Sequence, residues 1–138
     1  MDKAEQILQA LATAAATTGY PVEIDRDVPM DDTEAPLVIV RSGGETSEPV
    51  DKLLWNRRWV MTPSVEIYVT ASSPAAARAA ITGAWNSIVN AVQGEPPLGG
   101  AIPKLIARGT GIEASRDQIE RLGRFYACQG TFAFTFDR

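Results

Sequence analysis

The chain has 138 residues, one cysteine, no histidine and a formal net charge of −4. That length fits one domain over residues 1–138 with a core of its own, and a single cysteine allows no intrachain disulfide framework. The missing histidine excludes Ser-His and Cys-His dyads, histidine general bases and most zinc or non-haem iron sites, and the acidic balance argues against a nucleic-acid binder held by phosphate contacts.

Residues 2–18 read as a helix, with Ala4, Ile7, Leu8, Leu11 and Ala15 on one stripe. Asp2 suits the N-cap with Glu5 three residues on, and Gly19 ends the helix before Tyr20-Pro21 turns the chain away. Val22-Glu23-Ile24 reads as a short strand. The polar stretch 25–35, with Pro29, reads as a loop. Pro36 then opens Leu37-Val38-Ile39-Val40, an apolar run of the kind buried on both faces. Residues 42–56 read as a long mobile connection, because Gly43-Gly44, Glu45, Glu48 and Pro49 support no packed element. Within it, Leu53, Leu54 and Trp55 need an apolar partner, on their own domain or on another subunit.

A long strand follows over residues 59–71. Trp59, Met61, Pro63, Val65, Ile67, Val69 and Ala71 fall on one side of a period-2 pattern; Arg58, Thr62, Ser64, Glu66 and Thr70 fall on the other. Ser73 and Pro74 give a helix start, and Ala77, Ile81, Ala84, Trp85, Ile88 and Val92 give its stripe. Gly94 and Pro96-Pro97 stop it. Leu98-Gly99-Gly100 reads as a turn, 104–113 as a strand and 114–123 as a charged hairpin loop. The last strand, 124–137, places Tyr126, Cys128, Phe132, Phe134 and Phe136 on one face. The order α-β-β-β-α-β-β is an α+β layout: a largely antiparallel or mixed sheet of four to five strands with two helices packed on one face. No apolar run approaches the ~20 residues needed to span a bilayer. No basic region followed by an apolar block opens the chain, so the simplest expectation is a soluble protein made in a reducing cytosol.

The two long strands look too long for their helix. Residues 59–71 would extend about 40 Å at ~3.3 Å per residue, against about 30 Å for a helix over 74–93. Either the strands bend or start later, or their ends project to pack on a neighbouring subunit. Ring assembly by a repeated head-to-tail contact would also cover the sheet edges.

No motif specifies catalysis, a cofactor or a metal site. Cys128, on an apolar face with no histidine or basic neighbour in sequence, reads as a buried structural thiol. Asp25-Arg26-Asp27 and Asp31-Asp32 lack the spacing of a calcium loop and read as a solvated acidic loop. Gly43-Gly44 and Gly99-Gly100 read as turns, since no Gly-Lys-Ser/Thr follows either. Two clusters are candidates for contacts with another subunit. In the first, Arg57 and Arg58 beside Trp55 and Trp59 could stack on bases; with Glu45, Glu48 and Asp51 just upstream, an intersubunit patch of salt bridges and aromatic anchors fits better. The second is the mixed-sign group Arg116, Asp117, Glu120, Arg121 and Arg124, which reads equally as a solvated loop tip.

The pattern resembles the tail terminator proteins of long-tailed bacteriophages, the group typified by the lambda minor tail protein U. The resemblance is carried by the N-terminal helix, Pro36-Leu37-Val38-Ile39-Val40 and the strand ending Val65-Glu66-Ile67-Tyr68-Val69. It continues through the alanine-rich helix, Pro97-Leu98-Gly99-Gly100, Arg108-Gly109-Thr110, and Phe125-Tyr126-Ala127-Cys128 with Thr131-Phe132-Ala133-Phe134. It spans nearly the whole chain as element order and apolar pattern, without a catalytic signature. It implies a non-enzymatic virion tail protein, assembled in the bacterial host cytoplasm. Such subunits form a hexameric ring on the tail tube protein, stop tube polymerisation and offer a docking surface to the head-tail connector protein. DNA passes through the lumen without specific binding, and no membrane is involved. Two other readings stand beside it: a related neck component or ring subunit of a contractile or secretion apparatus, and a small enzyme or ligand-binding domain with a pocket between helix and sheet.

Overall fold

The computed structural model describes residues 2–29, 32–49, 57–94, 96–101, 105–106 and 112–137. The first apolar stripe folds as helix α1, Lys3–Ala15, which buries Ile7, Leu8, Leu11, Ala14 and Ala15. A 3-10 turn over Ala16–Thr18 tightens its end, and Gly19 closes it at φ 79°. Thr17 and Thr18 donate their hydroxyls to the carbonyls of Ala14 and Ala15, at 2.7 and 2.8 Å, taking up acceptors that a helix end leaves over. Helix α2, Pro74–Val92, starts as its sequence demands. Pro74 occupies the first turn, and Ser73 Oγ accepts the Ala76 N–H at 3.1 Å.

The strands are β1 (Val22–Ile24), β2 (Leu37–Pro49), β3 (Arg57–Val69), β4 (Leu105–Ile106), β5 (Glu113–Arg116), β6 (Glu120–Leu122) and β7 (Phe125–Asp137). They form one mixed sheet in the order β1-β2-β3-β7-β4, with β5 and β6 also paired to β7. β1 runs parallel to β2, and the other pairs are antiparallel. Because β4, β5 and β6 share the edge of β7 away from β3, they act as one interrupted edge strand. Among the described residues this gives, laterally, five strand positions in the α+β order expected from the sequence.

The period-2 pattern sorts side chains between two apolar clusters. Val38, Val40, Met61, Val65, Ile67, Cys128, Phe132, Phe134 and Phe136 face α1 and α2 in the main core. Leu37, Ile39, Tyr68, Phe125 and Ala127 form a smaller cluster on the opposite face. Leu37–Val40 is therefore buried on both sides, with no residue more than 2% exposed.

Several expectations change. Residues 42–49 are not a loop: they continue β2 and pair with β3 as far as Pro49 opposite Arg57. A bulge between Arg41 and Gly44 makes this possible. Gly43 takes φ +63° there, and a Cβ on it would fall 2.0 Å from the Thr62 carbonyl oxygen. Residues 50–56 lie outside the described residues. Most of the expected hairpin loop 114–123 is likewise strand, and the tight turn into β7 falls at Gly123-Arg124. In the expected strand 104–113, only 105–106 and 113 are strand among the described residues. Finally, the helix-facing side of β7 is buried out to Phe136, so no bare apolar end projects there. The exposed extension is the β2–β3 arm, where Gly43, Gly44, Glu45 and Thr46 face solvent.

Candidate functional site

The first candidate cluster lies along the β2–β3 arm. Arg58 is paired in register with Glu48 on one side and Asp137 on the other. Trp59 is paired with Ser47 and Phe136. Trp59 is half-buried and packs on the main core, so it anchors the arm to its own domain. Glu48 and Arg57 belong to the arm strands. Asp51 and Trp55 lie outside the described residues.

The second cluster lies along the interrupted edge strand, and its members do not share one tip. Arg116 is opposite Gly130 near the middle of β7. Glu120 and Arg121 are opposite Ala127 and Tyr126 near its start, and Arg124 sits in the turn that follows. Strand alternation then separates the charges by sign. Arg116 and Arg121 share the helix side with Gly130 and Tyr126, because residues directly opposite in a ladder point the same way. Arg121 lies over the Tyr126 ring, 5.5 Å from its centroid. With Arg78 of α2 they border a groove of about 590 Å³ that also contains Thr82, Ile119 and Tyr126. Asp117 and Glu120 instead border a depression on the other face, together with Glu66 and Tyr68.

Arg78 was not among the sequence candidates. One signal could have found it: it is the single charged residue in α2.

The two clusters lie apart along the sheet, the second spread from the start of β7 to its middle. Along β7, Tyr126 marks the far end of the second and Asp137 the first, a separation of roughly 36 Å at ~3.3 Å per residue. The Tyr126 end also carries the exposed apolar side chains Val28 and Leu122, which border one recess with Tyr68, Arg124 and Phe125.

On the outer face, Arg41 donates to both Glu66 oxygens, the longer contact being Nη2 to Oε1 at 3.3 Å. The Tyr68 hydroxyl donates to Glu66 Oε1. Burial first, and then the hydrogen bond to the Glu66 carboxylate, push the Tyr68 phenol well above its usual range. The hydrogen bond to Glu66 likewise raises Arg41. Glu66 is thus committed to holding β2 and β3 together rather than free for chemistry in the outer depression.

Cys128 is buried, as its place on the apolar face implies. Its thiol donates to the Asp117 carbonyl at 3.3 Å. The fold also brings Arg116 Nη1 to 3.7 Å from the sulfur, a basic neighbour invisible in the linear sequence. In the acidic segment, Arg26 bonds Glu23 and Glu34, the latter at 2.7 Å. Asp25 Oδ1 accepts the Ser42 N–H at 3.1 Å, so this loop is tied to β2.

No protein-family model matches the chain, and no curated protein matches it by sequence. Among solved structures it is similar to a chain of the "Virion of native gene transfer agent (GTA) particle". The TM-score is 0.51 at 18% identity, covering 98% of this chain and 92% of that chain. At that identity the likeness is one of fold: the same α+β architecture over nearly the whole of both chains.

Proposed function

We propose that this chain is a structural subunit of a phage-like particle: a tail terminator that closes the tail tube as a ring. In that role it stops tube polymerisation and presents the surface on which the head connector docks. The observation that carries this reading is the fold shared, nearly end to end, with a chain of a virion. The surface geometry supports it. A ring built by head-to-tail contact needs two different patches on one subunit, and the two lateral edges of the sheet differ, β1 on one side and the interrupted edge strand on the other. The net charge of −4 suits a lumen that DNA traverses without being held. The buried Cys128 and the committed Glu66 support a non-enzymatic role.

The mechanism is geometric. One face of the ring docks on the last ring of the tube, and the other lacks the features that would seat another tube ring. The test is tube growth: purified tail tube protein is polymerised with and without this chain, and lengths are measured by electron microscopy. A terminator gives short tubes with one end closed. Unchanged lengths with no bound chain refute the reading. Binding to isolated connectors but not to tubes would instead identify a neck component.

A further inference from the structure

The groove between α2 and the interrupted edge strand concentrates positive charge on an otherwise acidic protein. Arg78, Arg116 and Arg121 border it, and among the described residues no carboxylate does. Among the described residues none of the three guanidiniums is ion-paired, and the contacts of Arg116 and Arg121 go to neutral groups. Arg116 Nη1 reaches the Asp117 carbonyl at 3.4 Å and the Cys128 sulfur at 3.7 Å. Arg121 Nε reaches the Gly123 carbonyl at 3.3 Å and its guanidinium lies over Tyr126. All three arginines are exposed, so they remain available to an acidic partner.

The groove borders one lateral edge of the sheet, and the other edge is β1. That far edge is acidic: Glu23, Asp25 and Asp27 are exposed there, with Arg26 drawn into the pairs with Glu23 and Glu34. β1 covers only Val22–Ile24 and pairs with no more than Val38–Val40 of β2, and the charges on and after it offer an attraction that does not depend on strand pairing. One copy's acidic edge complements the next copy's arginine groove, and because the edges differ, the contact repeats head to tail.

We infer that the Arg78–Arg116–Arg121 groove receives the acidic segment 23–27 of a second copy of this chain, and that this is the lateral contact of the assembly. It rests on the ring-forming part of the function proposed above and names the residues that close the ring. The contact is strengthened at low ionic strength and screened by salt.

The experiment is sedimentation velocity of the full chain over a range of concentration and salt, for the parent, Arg78→Glu/Arg121→Glu and Asp27→Lys. The parent is expected to self-associate, more tightly at low salt. Each reversed variant is expected to associate at least about tenfold more weakly, and an equal mixture of the two to recover association. The milder Arg78→Gln keeps the test open if the double reversal disturbs folding, which circular dichroism would report. Reversed variants that associate as tightly as the parent overturn the groove while leaving the terminator reading intact. A parent that stays monomeric to millimolar concentration overturns the contact itself. So does a parent that binds duplex DNA through these arginines without self-associating. Failure of the parent to engage tail tubes, by contrast, is a failure of the function.

Discussion

Gly130 on β7 lies directly under the indole of Trp85 on α2. A Cβ at Gly130 would fall 2.3 Å from both Cη2 and Cζ3 of that ring. The missing side chain lets α2 settle on the sheet, where Trp85 packs against Phe132 with ring centroids 5.1 Å apart. Gly130→Ala is therefore expected to destabilise the fold by about 1–3 kcal/mol through overpacking. Urea unfolding measures this. In a Trp85→Leu background the added methyl should cost much less, and an unchanged cost there would show that the indole is not the obstacle.

Gly43 sets the register of the exposed arm. It takes φ +63° at the bulge and packs its backbone against Thr62. Gly43→Ala combines left-handed strain with a backbone clash, and is expected to cost about 1–3 kcal/mol and to loosen the arm selectively. Hydrogen exchange should speed up at the Met61 and Thr62 amides while the amides of α2 keep their protection. Uniform protection equal to that of the parent would contradict the bulge.

Tyr68 ties stability to alkaline pH. Its folded-state value is raised by burial and by Glu66. The phenol's contribution is thus complete below about pH 10, where the unfolded chain's tyrosine titrates, and is lost as pH rises toward the higher folded-state value. Melting temperature should fall more steeply between pH 9 and 11.5 (a range chosen to bracket about pH 10) in the parent than in Tyr68→Phe. At neutral pH the variant should lose about 1–3 kcal/mol with the charged hydrogen bond. Parallel pH profiles would rule out the coupling.

What the sequence revealed follows burial. α2 was legible because Ser73-Pro74 marks its start and its apolar stripe faces the core without interruption. β7 was legible because Phe132, Phe134 and Phe136 alternate with other residues along one buried face. Residues 42–47, 114–116 and 120–122 were illegible as strand because most of them are exposed, and the ladder to a neighbour rather than side-chain burial holds them extended. Gly43-Gly44 looks like a turn for the same reason it makes a bulge: both need backbone freedom. The candidate contacts were half legible. The charges at Arg116, Asp117, Glu120 and Arg121 could be read, but their separation by face required knowing that they lie along an edge strand. Arg78 joins them only through the docking of α2 on the sheet.

The most direct measurement of the central claim is where the chain sits in an assembled particle. Particles carrying an affinity tag on this chain would be labelled with gold-conjugated antibody and imaged by electron microscopy. A terminator ring requires label at the head-proximal end of the tail, one site per particle. Label spread along the tube, or confined to the head, would contradict it.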